Sequence, residues 1–472
     1  MRGGDRSWAH APCSILLRRT LRLWRKAVTV DPALRLLSLK HCQQNRVSNA
    51  GSAIKRRKID IVCLALVLAV GLFFRLPHSV FSGNGISPHA LQFLHPPPKM
   101  EGLGFDEGMY RSYVTKVIRE GLGSYPEIVD DYIDSQAKLT GSVLPPVRFF
   151  YIFAAYLWHL AFGTEALSAL RDVASLFSIL TLILSGIFAW RLKGPAYALG
   201  VLALMSCAPT QIHMSQHALV DGFFTFWALL CLWTLWENLR APRDWRWLVA
   251  YVVALALLVL TKENSFFVWV ALVAIVVVNR WLRFGTVTRE LLLATIVGPL
   301  LGVVVLVFLA GGFGTLIQTY QLSVSKNYQL QYAILTGDGP WSRYLVDLFL
   351  VSPIIVILAL GAVFRLDRTK TPELFMSIFI AVSYLVMCNI KYGMNLRYAN
   401  MWDMPLRFLA FSQVSALIAP AKRYRILLTS VAVVVIAALE LRQYYILAVR
   451  YPLYELVTHE LLRALSILKS FH

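Results

Sequence analysis

The chain has 472 residues, 57% of them hydrophobic and only 15% charged. That balance excludes an ordinary soluble domain, because apolar stretches such as Ile61–Phe74, Phe177–Trp190, Phe266–Val278 and Leu291–Ala310 approach the roughly 20 residues a spanning helix needs. A formal charge of +20 would suggest nucleic acid for a soluble protein. In a membrane protein it reads instead as Lys and Arg gathered in cytoplasmic loops, so the bilayer, and not nucleic acid, is the expected partner.

Residues 1–54 are basic and poorly patterned, and Ile15–Val28 could lie as an amphipathic helix on a membrane. The segment lacks the apolar stretch and cleavage site of a secretory signal and is expected to be a disordered cytoplasmic tail. Lys55-Arg56-Arg57-Lys58 precedes a first span near residues 59–78, which places the N-terminus in the cytoplasm. A long outer loop, 79–165, follows. Within it Val147–Phe162 is apolar but short, and it carries Arg148 and His159.

If Val147–Phe162 crossed the bilayer, the basic clusters Arg191/Lys193, Arg240/Arg243/Arg246, Arg280/Arg283/Arg289, Arg365/Arg368/Lys370 and Lys422/Arg423/Arg425 would all face outward. Laid in the outer interface, it leaves every one of them inside, as the charge rule requires. Spans are then expected near 166–190, 194–212, 219–238, 246–261, 265–282, 289–311, 344–364, 372–390, 403–419 and 424–440. The fold class is all-α, a polytopic transmembrane bundle of about 11 spans (about 11 to 13), with juxtamembrane helices in its first extracytoplasmic loop. Residues 55–440 would form the catalytic unit and 441–472 a short amphipathic tail. The six cysteines include no Cys-x-x-Cys pair, so neither a zinc site nor a disulfide framework is indicated.

In this topology the unusual polar residues collect on the outer face. Asp106 and Glu107 open a short helix ahead of Ser112–Glu120; acids suit a helix N-terminus, and a carboxylate there can also act as general base. Asp221 stands just inside a span, where an acid is costly and marks a functional candidate. His213 and His217 are four apart and could share a helical face, but no partnered motif makes them a metal site. Thr261-Lys262-Glu263-Asn264 is a tight turn between two apolar helices, and Lys262 there is either a snorkelling cation or a phosphate ligand. Arg397-Tyr398 fits the second reading, since a guanidinium matches phosphate oxygens in a planar fork. Carboxylates for an acceptor and cations for a phosphate on one face suit glycosyl transfer from a polyprenyl phosphate. There the leaving group needs positive charge and a carboxylate activates the incoming hydroxyl, with inversion.

At these residues the chain resembles the GT-C superfamily of membrane glycosyltransferases, in the branch of protein O-mannosyltransferases and lipid A aminoarabinose transferases. Phe105-Asp106-Glu107 is similar to the family's acidic pair, which implies that Asp106 is the catalytic or acceptor-positioning acid. Leu144-Pro145-Pro146-Val147-Arg148-Phe149-Phe150 is similar to its Pro-Pro-Leu-Tyr-Tyr stretch, and His217-Ala218-Leu219-Val220-Asp221 to the region of its second Asp. Leu260-Thr261-Lys262-Glu263 resembles its Thr-Lys-Gly turn, and Asn395-Leu396-Arg397-Tyr398 its late Arg-Tyr element. The resemblance implies Asp106, Glu107 and Asp221 as catalytic residues, Lys262, Arg397 and Tyr398 on the donor phosphate, and Arg148 and His217 as substrate-positioning residues. Three departures stand out. No basic residue precedes Pro145-Pro146; Glu263 replaces a small residue and is expected to neutralise Lys262 in part; and no sizeable soluble domain follows the last span.

The expected donor is a polyprenyl-phosphate-linked sugar, with the acceptor (protein, lipid or glycan) and the sugar both open. No metal ligand is assigned, and a divalent cation such as Mg or Mn stays open, because some relatives use one. The expected location is a bacterial cytoplasmic membrane with the site facing outward. The rival readings are a lipid or solute transporter or flippase, an O-antigen-type polymerase or ligase, and a non-catalytic scaffold. A transporter would show internal repeats and ionisable residues at midplane, and a polymerase would carry its main loop late in the chain.

Overall fold

The computed structural model describes residues 61–77, 105–330, 333–334, 337–391, 393–451 and 457; the segment 1–54, the Pro96-Pro97-Pro98 run and most of the C-terminal tail lie outside them. The chain divides into residues 1–65 and 66–472, and the described part of the first, Ile61–Ala65, is helical. Among the described residues all regular structure is helical. In chain order the helices are α1 (Ile61–Arg75), α2 (Phe105–Glu120), α3 (Tyr125–Lys138), α4 (Phe149–Phe162), α5 (Ala166–Lys193) and α6 (Pro195–Ser206). They continue with α7 (Pro209–Gln216), α8 (Val220–Arg240), α9 (Trp245–Thr261), α10 (Ser265–Leu282), α11 (Arg289–Leu309) and α12 (Phe313–Asn327). The last are α13 (Arg343–Val351), α14 (Pro353–Val363), α15 (Thr371–Met387), α16 (Asp403–Ile418) and α17 (Arg425–Tyr444), with a 3-10 segment at Leu396–Trp402.

Helices α5, α10 and α11 and the run Lys422–Arg450 that contains α17 are long and apolar enough to cross a membrane. The pair α6–α7 qualifies as one broken span, bent by 57°. The chain is an integral membrane protein. Each predicted span has a helix at its position, but two are divided. Pro209 separates α6 from α7 and Pro353 separates α13 from α14, because proline brings no amide hydrogen and its ring collides with the preceding turn.

Local signals set the other ends. Glu165 caps α5 by accepting from Leu167 N, and Thr288 caps α11 by accepting from Leu291 N. Helix α4 has 14 residues and ends at Gly163, whose φ of 67° is the left-handed conformation. At about 1.5 Å per residue it rises roughly 21 Å, well short of a hydrocarbon core of about 30 Å.

Two apolar cores hold the architecture. The larger runs through α5, α6, α8–α10 and α13–α17, and the smaller joins α2, α3 and α4 to α5 and α8. Helix α11 lies close against α9 through Gly298 and Gly302: a methyl group on Gly302 would come within 2.7 Å of the Ala256 carbonyl. Small residues at this spacing let helix backbones approach in a membrane. Helices α2–α4 pack together as a cap against α5 and α8 through the smaller core.

Candidate functional site

The site is assembled where that cap meets the starts and ends of four distant segments. Asp106 and Glu107 stand in the first turn of α2, where the helix dipole favours negative charge. Glu107, 1% exposed, turns inward: it accepts from Ala218 N at 2.7 Å, and lies 3.4 Å from Arg171 and 3.7 Å from His217 Nδ1. Burial pushes its carboxyl up, but the His217 contact, the Arg171 charge and the Ala218 amide outweigh it and hold the pKa at about 2. Glu107 thereby clamps the start of α2 to the residues that lead into α8.

Asp221 sits in the first turn of α8 and is buried. Helix α9 ends at Thr261, and Lys262 leaves it in extended backbone, so that its Nζ donates to Asp221 Oδ1 at 2.5 Å. The same ammonium lies 3.9 Å above the centre of the Tyr398 ring, a cation–π contact strengthened by burial. Burial lowers the Lys262 pKa even against the pull of Asp221. The 3-10 segment brings in Arg397, whose backbone amide is capped by the Asn395 side chain at 2.9 Å. Arg397 Nη1 donates to Asp106 Oδ2 at 2.8 Å and lies 4.0 Å from Asp221 Oδ2. Arg148, in the turn before α4, donates to both oxygens of Glu263, at 2.6 and 3.2 Å, and to the Tyr110 hydroxyl at 2.8 Å.

These groups form one wall of a cavity of about 640 Å³, lined by Asp106, Arg148, Lys262, Glu263, Arg397 and Tyr398. Ser323 and Asn327 of α12, Tyr328 just after it and Lys391 also line it. Glu107, Asp221 and His217 are not lining residues; they stand behind the wall and hold it. The cations and acids balance one for one: Arg148 with Glu263, Lys262 with Asp221, Arg397 with Asp106.

Glu263 hydrogen-bonds Arg148, and Asp221 is the ion-pair partner of Lys262, because the turn after α9 sends the two side chains apart; the Glu263 charge still acts on the Lys262 ammonium. One expectation needs correction. His213 and His217 do not share a helical face. Helix α7 ends at Gln216 and His217 is extended, so the ring centres lie 4.5 Å apart with the planes tilted by 51°, and His217 turns toward Glu107. Among the described residues no group of three His, Cys, Asp or Glu side chains is placed to hold a metal, and Asp106 and Asp221 already face cationic partners.

Several contributors went unnoticed in the sequence. Arg171, beside Asp172 in a long apolar helix, carries the signal that intramembrane ionisable residues give. Tyr110 lies one helical turn beyond Asp106, within reach of the same wall. The α12 wall shows no local signal.

Residues 117–317 match the family model described as dolichyl-phosphate-mannose-protein mannosyltransferase. No curated protein matches the sequence. Among solved structures, the Archaeoglobus fulgidus oligosaccharyltransferase in its apo form is similar at 12% identity with a TM-score of 0.53, over 84% of this chain and 56% of that one. The oligosaccharyltransferase AglB from Archaeoglobus fulgidus, in complex with an inhibitory peptide and a dolichol-phosphate, is similar at 12% identity, TM-score 0.51, over 85% and 56%. ArnT from Cupriavidus metallidurans bound to undecaprenyl phosphate is similar at 16% identity, TM-score 0.47, over 83% and 72%. The chain spans little more than half the length of the archaeal enzyme. It has the GT-C fold of membrane glycosyltransferases, and over residues 117–317 it is similar to the dolichyl-phosphate-mannose-protein mannosyltransferase family.

Proposed function

We propose that the chain is a membrane glycosyltransferase that moves a sugar from a polyprenyl-phosphate carrier to a hydroxyl acceptor at the extracytoplasmic face, with residues 55–440 as its catalytic unit. The observation that carries the reading is the convergence of Asp106, Lys262 and Arg397, from three separate segments, on one cavity wall, with Asp221 of a fourth segment directly behind it against Lys262 and Arg397. The mannosyltransferase family model and the dolichol-phosphate held by AglB support a lipid-phosphate donor. Basic clusters at the ends of the bundle away from this wall support the outward orientation.

In the reaction the acceptor oxygen attacks the anomeric carbon as the bond from that carbon to the phosphate oxygen breaks. The hydroxyl proton passes to a carboxylate, and the bonding electron pair leaves on the lipid phosphate. Asp106 is the base, because it lines the cavity while Asp221 is 3% exposed and held by Lys262. Arg397 and Lys262 face the phosphate as its charge grows, and Tyr398 fixes the Lys262 ammonium. Displacement in one step inverts the anomeric centre. Arg148 lines the sugar side, and His217 and Glu107 hold the frame.

The test supplies purified protein with a radiolabelled polyprenyl-phosphate hexose and follows release of free lipid phosphate. The wild type releases it, and Asp106→Asn loses the activity while keeping its gel-filtration profile in detergent. Full turnover by Asp106→Asn would sink the assignment of the base, and no release by the wild type with any of several sugars would sink the transferase reading.

A further inference from the structure

At the joint between α6 and α7 the chain breaks inside an apolar bundle. Carbonyls freed there have no water to turn to and need other donors. Two guanidinium groups, both 0% exposed, supply them. Arg75 of α1 donates to Met205 O at 2.7 Å and Ser206 O at 3.1 Å, and Arg407 of α16 donates to Leu204 O at 3.2 Å. Both cations lie at the carboxyl end of α6, where the helix dipole favours positive charge. Arg407 is in turn matched by Asp403 at 2.8 Å and Glu440 at 2.5 Å.

This cluster touches both arms of the candidate site. Gln211, in α7, donates through Nε2 to Asp403 Oδ2 at 2.9 Å, to Asn400 O at 3.3 Å and to the Asn400 side-chain carbonyl. Asn400 belongs to the 3-10 segment that carries Arg397. Helix α7 leads through Ala218, gripped by Glu107, to Asp221. Gln211 is 1% exposed and does not line the cavity.

We propose that Gln211 is a positioning residue: by tying α7 to Asn400 and Asp403 it sets the spacing between the Asp221 arm and the Arg397 arm. The kinetic consequence rests on the transferase reading, whereas the spacing itself does not. Displacements of about 1 Å at a catalytic wall can cost about a hundredfold in rate, so the tie has kinetic weight.

Gln211→Leu tests it, since it removes the amide at similar volume and leaves Arg407 paired with Asp403 and Glu440. Asn238→Leu is the control: Asn238 is another buried amide, joining α8 to Trp247 O at 2.9 Å at the far end of α8. Full-length protein in detergent is followed by hydrogen exchange of residues 396–402 and by turnover of a polyprenyl-phosphate hexose. In Gln211→Leu, exchange in 396–402 rises about tenfold, kcat falls about tenfold or more, and KM stays within about twofold. Asn238→Leu moves neither exchange in 396–402 nor kcat. Adding Asn400→Leu to Gln211→Leu causes little further loss, because the tie is already gone. Unchanged exchange in Gln211→Leu, or an equal rise in Asn238→Leu, overturns the proposal. Raised exchange in a protein whose wild type shows no turnover keeps the positioning role and removes the transferase reading. If Gln211→Leu does not fold, Gln211→Asn, with its amide one methylene shorter, is read by the same criteria.

Discussion

Arg397 stands between two acids that come from separate helices: its Nη1 is 2.8 Å from Asp106 Oδ2 and 4.0 Å from Asp221 Oδ2. One guanidinium thus links the cap helix α2 to the start of α8, and it does so at the cavity surface. Arg148, Lys262 and Arg397 each already have an acid in the resting site, so on the proposed transferase reading a donor phosphate competes with a carboxylate for each of these contacts. On the same reading, that competition would free Asp106 to take a proton as the phosphate occupies Arg397.

Arg397→Lys keeps the charge but replaces a planar fork with a point charge on a flexible stem. We expect kcat/KM for donor turnover to fall about tenfold to a hundredfold, with the protein still folded. Steady-state kinetics on the polyprenyl-phosphate hexose measure it, and wild-type values would mean that the fork has no role.

Removing Glu263 leaves Arg148, 6% exposed, without its bidentate partner. Breaking a buried pair by one member costs about 3–5 kcal/mol, but the Glu263 side chain is 39% exposed and water screens the loss. Glu263→Gln is therefore expected to destabilise by about 1–2 kcal/mol, and Glu263→Gln combined with Arg148→Met by less. Thermal melts of both variants in one detergent decide it; a double variant worse than the single one would contradict the pairing.

Glu107 supplies a pH signature. Its pKa in the folded state, about 2, lies below the ordinary 4.5, so the stability it contributes is present above about 4.5 and is lost as pH falls toward 2. The contribution is on the order of 3 kcal/mol. Melting temperatures should hold between about pH 7 and 5 and then decline, and Glu107→Gln should be less stable at neutral pH with a shallower acid decline. Parallel declines in both proteins would show that Glu107 is not the group responsible.

Orientation is checked by labelling. With the six native cysteines replaced, Ser112→Cys in α2 and Ser325→Cys in α12, both at exposed positions, should react with an impermeant maleimide added outside cells. Thr369→Cys, in the exposed turn between α14 and α15, should react only after permeabilisation. Labelling of Thr369→Cys in intact cells would reverse the topology.

The sequence by itself determined the helices and where charge is tolerated. Apolar runs and their flanking Lys and Arg respond to the bilayer through composition alone, which is why α5, α8, α10, α11 and α17 lie where expected. The shortness of the apolar run 149–162 was likewise visible in the sequence, and α4 has 14 residues. Asp106, Asp221, Lys262 and Arg397 stood out because charge beside hydrocarbon is costly wherever it occurs. Which charge meets which partner was decided only in three dimensions. The pairing of Glu263 with Arg148, and of Lys262 with Asp221, depends on how the turn after α9 exits the helix, and adjacent residues in such a turn point apart. The break at Pro209 and the arginines that satisfy its carbonyls were equally hidden, since Arg75 and Arg407 lie far apart in sequence and meet only when α1 and α16 close on the end of α6. Local spacing carries the preference of a segment for helix and membrane; the identity of a hydrogen-bond partner is a property of packed backbones.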